Sequence, residues 1–89
     1  MKTIKINISG IVQGVGFRYF CLKQARIFNI KGYAKNLFNG DVEVVAQGNE
    51  PDLKDFVKEI SIGPRYATIK SVKIDEIEKK VEFDDFYIY

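Results

Sequence analysis

Along the first ten residues, Ile4, Ile6 and Ile8 alternate with Lys5, Asn7 and Ser9. A period of two is the signature of a strand with one buried face, and Gly10 is expected to end it. From Phe17 the spacing changes. Phe17, Phe20, Cys21, Ala25 and Phe28 recur every three or four residues until Asn29 and Gly32, which predicts a helix after an intervening loop. Segments 33–38 and 41–47 flank Asn39-Gly40, the pair favoured in a two-residue hairpin whose central positions both take positive φ. Gly48-Asn49-Glu50-Pro51 opens a second helix with proline in its first turn, and Leu53, Phe56, Val57 and Ile60 form its buried stripe before Gly63-Pro64 stops it. Segments 69–77, around Val72 and Ile74, and 83–89, with Phe86 and Ile88 on one face, read as strands, and Lys79-Lys80 reads as a solvated turn between them.

The order is βαββαβ with a short terminal strand. Two helices on one face of a mostly antiparallel sheet make an α+β, ferredoxin-like split βαβ sandwich. At 89 residues the chain is expected to form one domain, 1–89. This fold hosts many functions, so its chemistry must be sought in a site. Apolar runs of three or four residues fall far short of the roughly 20 needed to cross a bilayer, and the first residues lack the apolar stretch of a secretory signal. A cytoplasmic monomer without membrane contact is expected.

Two absences narrow the chemistry. The chain has no histidine and one cysteine, Cys21. That excludes a Ser-His-Asp triad, a Cys-His pair, an internal disulfide and a cysteine-based metal cluster, so neither metal nor cofactor is expected. Cys21 falls on the apolar face of the first helix and reads as core. A formal net charge of +2 names no partner. RNA-recognition domains share the element order but stack bases on aromatic residues of their central strands. The corresponding strands here carry Ile4, Ile6 and Ile8, and Val42, Val44, Val45 and Ala46, so no nucleic-acid partner is expected. Tyr87 and Tyr89 read as completing the sheet. The acid pairs Glu76 and Glu78, and Asp84 and Asp85, read as products of strand alternation and a turn.

The informative segment is Gly10-Ile11-Val12-Gln13-Gly14-Val15-Gly16-Phe17-Arg18, between the first strand and the first helix. Its glycines allow successive N–H groups to converge, and a helix start adds unpaired donors and a positive dipole end. Arg18 in the first turn is disfavoured by roughly 0.3–1 kcal/mol unless an anion compensates, so a bound phosphate fits. The segment matches neither a P-loop, which needs Lys and Ser or Thr after its second glycine, nor a dinucleotide fingerprint, whose third glycine is replaced by Tyr19. A glycine-rich turn beside an ordinary surface arginine remains the alternative. A second candidate is Asn36, placed mid-strand between Lys35 and Leu37, where asparagine is disfavoured. Its carboxamide has both donor and acceptor, enough to hold a water and touch an oxyanion. The alternative is a solvated edge-strand residue.

Together, Gly10 to Arg18 and Gly32-Tyr33-Ala34-Lys35-Asn36 with Gly40, Val42 and Gly48 resemble the two signatures of the acylphosphatase family, and Gly63-Pro64 with Ala67 is also similar. The resemblance implies hydrolysis of the carboxyl-phosphate anhydride of a small acyl phosphate, releasing a carboxylate and inorganic phosphate without metal or covalent intermediate. It implies that Arg18 and the backbone of Gln13, Gly14, Val15, Gly16, Phe17 and Arg18 bind the phosphoryl oxygens, that Asn36 orients the attacking water, and that the substrate's own phosphate accepts the proton. Departures are Phe38-Asn39, where the family often carries proline and aspartate, and Gly16, where a bulkier residue is common. Two other possibilities are a slow phosphate sensor and a free-standing relative of the acylphosphatase-like domain of larger carbamoyl-phosphate enzymes.

Overall fold

The alternation of β1 (Lys2–Ile11) divides its residues between two environments: Ile4, Ile6 and Ile8 are buried, whereas Lys5 is exposed and Asn7 half-buried. A computed structural model describes residues 1–78 and 82–89, and the turn expected at Lys79-Lys80 lies outside them. After β1 come α1 (Phe17–Ile27), β2 (Lys31–Asn36), β3 (Val42–Gly48), α2 (Glu50–Ile62), β4 (Thr68–Ile77) and β5 (Phe86–Ile88). The strands form one sheet in the order β4-β1-β3-β2-β5. Every neighbouring pair is antiparallel except β2 and β5, which run parallel. This is the ferredoxin-like α+β architecture.

The helices bury their apolar stripes on one sheet face. Phe17, Cys21 and Ala25 of α1 and Leu53, Phe56 and Ile60 of α2 join Ile6, Ile8, Ala34, Val42, Val44, Ala46 and Phe86 in a single core. The Phe56 and Phe86 rings meet edge to face at 6.1 Å, binding α2 to the last strand. Burying each such ring stabilises the fold by about 1.5–3 kcal/mol. Helix α2 has Asn49 at its N-cap, with Pro51 and two acids, Glu50 and Asp52, in its first turn, a placement that complements the helix dipole. Neither helix is long and apolar enough to cross a membrane among the described residues.

Several element boundaries differ from the sequence reading, each for a local reason. β1 runs past Gly10 to Ile11, because a bulge at Ser9/Gly10 shifts its register against β4 without ending the pairing. β2 covers 31–36 instead of 33–38, so Asn36 is its last residue and not a mid-strand one. The hairpin loop has three residues, not two. Leu37 N–H donates to Asp41 O at 2.9 Å and Gly40 N–H returns to Leu37 O at 3.2 Å, while Gly40 alone takes positive φ, 96°. That is a turn closed by a left-handed glycine bulge, and Asn39 serves it through its side chain, whose Oδ1 accepts the Asp41 N–H at 3.0 Å. The last strand shrinks from 83–89 to 86–88, with Phe86 buried and Ile88 partly exposed. Ile74, one of the apolar residues around which β4 was read, is 49% exposed because β4 lies at the sheet edge.

Candidate active site

The loop joining β1 to α1 is held by its two ends. Val12 and Phe17 are buried in the core, and between them Gly14 and Gly16 sit at φ 75° and 80°. A side chain at either glycine would meet nothing within 4 Å, so the demand is conformational: a left-handed backbone costs an L residue about 1–2 kcal/mol. Gly16 is also the N-cap of α1 and supplies no side-chain capping bond; the helical ladder begins with Phe20 N–H donating to Gly16 O at 3.0 Å. The amides of the first turn are therefore left without intrahelical acceptors, and no acidic residue lies in that turn. Arg18 stands among them.

Two tethers bring this loop to the end of β2. Arg18 Nη1 donates to the Tyr89 backbone oxygen at 2.5 Å, and Tyr89 N–H donates to Ala34 O at 2.9 Å, two residues before Asn36. On the other side, Gln13 Nε2 donates to the O of Leu37, the residue after Asn36, at 2.7 Å and to Asp41 O across the hairpin at 2.9 Å. The Gln13 amide nitrogen is thus spent on the hairpin. Asp41 in turn accepts from Asn7 Nδ2 at 2.8 Å and Asn39 Nδ2 at 3.2 Å, which pins the turn to β1. Loop, helix start and hairpin form one braced corner with Arg18 and Asn36 in it.

Two hollows open there. One, of about 150 Å³, is lined by Val12, Gly14, Gly16, Phe17, Arg18, Tyr19 and Ile88. The other, of about 470 Å³, is lined by Gln13, Lys35, Asn36, Leu37 and Phe38. Asn36 Oδ1 is buried and has no hydrogen-bond partner, the one such side-chain atom among the described residues. A solvated edge-strand asparagine would not look like this, because a buried unpaired carbonyl oxygen costs about 1–3 kcal/mol.

Of the sequence candidates, Gln13 to Arg18 are contiguous; Gln13 lines the same hollow as Asn36, whereas Gly14, Gly16, Phe17 and Arg18 line the neighbouring one. Tyr89, Leu37, Asp41 and Asn7, which position them, were not singled out as site residues, since no local pattern marks a backbone carbonyl 71 residues from its donor. Other polar groups are structural. Cys21 is fully buried, and burial pushes its thiol pKa up. Glu76 lies 3.5 Å from Lys2, Asp84 accepts from the Tyr87 hydroxyl, and Asp85 Oδ1 accepts the Phe86 N–H at 2.8 Å. Tyr33, Phe83, Tyr87 and Tyr89 gather at the β2–β5 edge. Tyr33 contacts Phe83 and Tyr89 with ring centroids 6.0 and 5.4 Å away, and its hydroxyl donates to Glu43 Oε2 at 3.0 Å. Burial first, and this carboxylate second, push its pKa up to about 12.

The chain has counterparts in known proteins. The acylphosphatase family model matches residues 4–88. An acylphosphatase from Caldanaerobacter subterraneus subsp. tengcongensis is 43% identical over 88 residues, covering 99% of this chain and 98% of that protein. The crystal structure of acylphosphatase from Bacillus subtilis superposes with a TM-score of 0.96 at 32% identity, covering 100% of this chain and 99% of that one. The probable carbamoyltransferase HypF of Methanocaldococcus jannaschii is 42% identical over 86 residues, 96% of this chain but 11% of that much longer protein. With the family model spanning nearly every residue and the fold and length matching throughout, the chain belongs to the acylphosphatase family, enzymes that hydrolyse acyl phosphates.

Proposed function

We propose that the braced corner hydrolyses acyl phosphates by a metal-free, substrate-assisted displacement in which Arg18 and the 13–18 backbone hold the phosphoryl group and Asn36 orients water. The single observation that carries this reading is the buried, unpartnered Asn36 Oδ1 on a residue lining a cavity beside the glycine loop. The terminal torsion of asparagine is soft, so a modest rotation presents this acceptor to a water in the cavity. The uncapped amides of Phe17, Arg18 and Tyr19 and the left-handed Gly14 and Gly16 offer donors to an anion, and the Arg18 guanidinium, held at one nitrogen by Tyr89, keeps further N–H groups for phosphoryl oxygens.

The atoms balance without a protein base. Water oxygen bonds to phosphorus, the bond from phosphorus to the acyl oxygen breaks, and the departing carboxylate carries that electron pair. The proton from water goes to a phosphoryl oxygen. A carboxylate is a good leaving group, so positioning and charge stabilisation are sufficient protein contributions. The test is hydrolysis of benzoyl phosphate by the purified chain in excess metal chelator. Sustained turnover is expected; no turnover would overturn the activity, and loss of turnover on chelation would overturn the metal-free mechanism. The likeness to a probable carbamoyltransferase makes carbamoyl phosphate the second substrate to assay, and turnover confined to it would favour the narrower reading.

A further inference from the structure

A second concavity shares no residue with the corner that carries Arg18 and Asn36. It lies where α2 leaves the sheet edge uncovered. Val72, Ile74 and Glu76 of β4 stand opposite Ile8, Ile6 and Ile4 of β1, so Ile74 belongs to the helix-side face. Yet Ile74 is 49% exposed, and Val57 on the facing helix is only half-buried. Between them, Ile4, Leu53, Val57 and Ile74 floor a cavity of about 320 Å³. That lies within the range of small-molecule sites and has room for about ten groups at ~30 Å³ each.

The rim is charged on one side of the balance. Lys2, Lys54, Lys58 and Glu50 line it. Lys2 is committed, donating to Glu50 Oε1 at 2.7 Å with Glu76 at 3.5 Å. Lys54 and Lys58, one helical turn apart on α2, form no ion pair among the described residues. Lys54 also attracts Glu50 from a distance, so the lining sets three ammonium groups against one carboxylate, and this positive excess beside an apolar floor is complementary to one ligand shape: an apolar tail with an anionic head. The long lysine stems can lie along the tail while their heads meet the anion at the surface. A protein partner fits less well, because a stable interface buries about 1,200–2,000 Å², far more than a cleft bounded by eight residues offers.

We propose that this cleft binds anionic amphiphiles, specifically a linear carboxylate of about eight to ten carbons, with its chain on Leu53, Val57 and Ile74 and its head between Lys54 and Lys58. The proposal does not depend on the catalytic reading. Decanoate is the probe, titrated by calorimetry below its micelle-forming concentration, with amide chemical shifts mapping the site. Saturable one-to-one binding with Kd on the order of 100 µM is expected, weakening as salt rises. Shifts should centre on Leu53, Val57 and Ile74 and persist in saturating inorganic phosphate. Lys54→Gln/Lys58→Gln, two exposed positions whose change leaves the core intact, should raise Kd about tenfold, and decyltrimethylammonium should bind at least as weakly. No saturable binding, equal affinity for the cationic amphiphile, unchanged affinity in the lysine variant, or shifts centred on residues 13–18 and displaced by phosphate would each overturn the assignment.

Discussion

Asn36→Ala separates catalytic from structural roles because the two make opposite demands on stability. The buried Oδ1 has no partner, and such an acceptor costs about 1–3 kcal/mol in the folded state. Alanine removes the orphan together with a half-buried side chain of modest packing value. The balance lies between zero and about +2 kcal/mol, and at about 4–8 °C per kcal/mol for a domain of this size, Tm should hold or rise by up to about 8–16 °C. Turnover should move the other way. Losing one positioned catalytic group costs about a hundredfold, close to 2.7 kcal/mol of barrier. Competitive inhibition by inorganic phosphate should persist, since the glycine loop and Arg18 are untouched. The assays are calorimetric unfolding, steady-state hydrolysis of benzoyl phosphate and phosphate inhibition of the same preparation. A Tm lowered by several degrees with near-normal turnover would refute the reasoning and make Asn36 a strand-end structural residue. Equal loss of turnover and phosphate affinity would place it in the phosphate clamp instead.

Three further outcomes are expected. Arg18→Lys should weaken phosphate binding by about 2–3 kcal/mol, some 30- to 150-fold, because an ammonium cannot reproduce the guanidinium fork; unchanged affinity by calorimetry would remove Arg18 from the clamp. Gln13→Leu unties the loop from the hairpin, but Leu37 O keeps the Gly40 donor and Asp41 O keeps Leu37, so the stability loss in urea should stay near 1–2 kcal/mol while kcat falls at least tenfold; unaltered kcat would show that the tether does not position the corner. The Tyr33 phenol, raised from about 10 to about 12 by burial and Glu43, favours the folded state while protonated. That contribution is complete below about pH 10 and is lost as pH rises toward 12, so Tyr33→Phe should lose less stability than wild type between pH 9 and pH 11 in urea titrations; parallel losses would mean that the phenol does not feel the fold.

What the chain determined alone was whatever depends on near neighbours. The period of two in Ile4, Ile6 and Ile8, the helical stripes of Phe17, Cys21 and Ala25 and of Leu53, Phe56 and Ile60, and the positive-φ glycines of the 13–18 loop are legible because strand pleat, helix pitch and backbone sterics act over a few residues. The hairpin was legible as a hairpin, but its length was not. Asn39-Gly40 suits a two-residue turn, and the side-chain bond from Asn39 to the Asp41 amide, with Asp41 itself gripped by Asn7 of β1, favours the three-residue form. Only tertiary structure could place β5 parallel to β2 and so bring the Tyr89 carbonyl to Arg18, 71 residues away. The same is true of the Gln13 tether and of the exposure of Ile74, which depends on how far α2 covers the sheet. Apolar burial is non-directional: it requires Ile and Val to leave water but does not say which strand lies beside which. That choice is made by the whole set of pairings at once, and it is what turns a glycine loop and a strand-end asparagine into one corner.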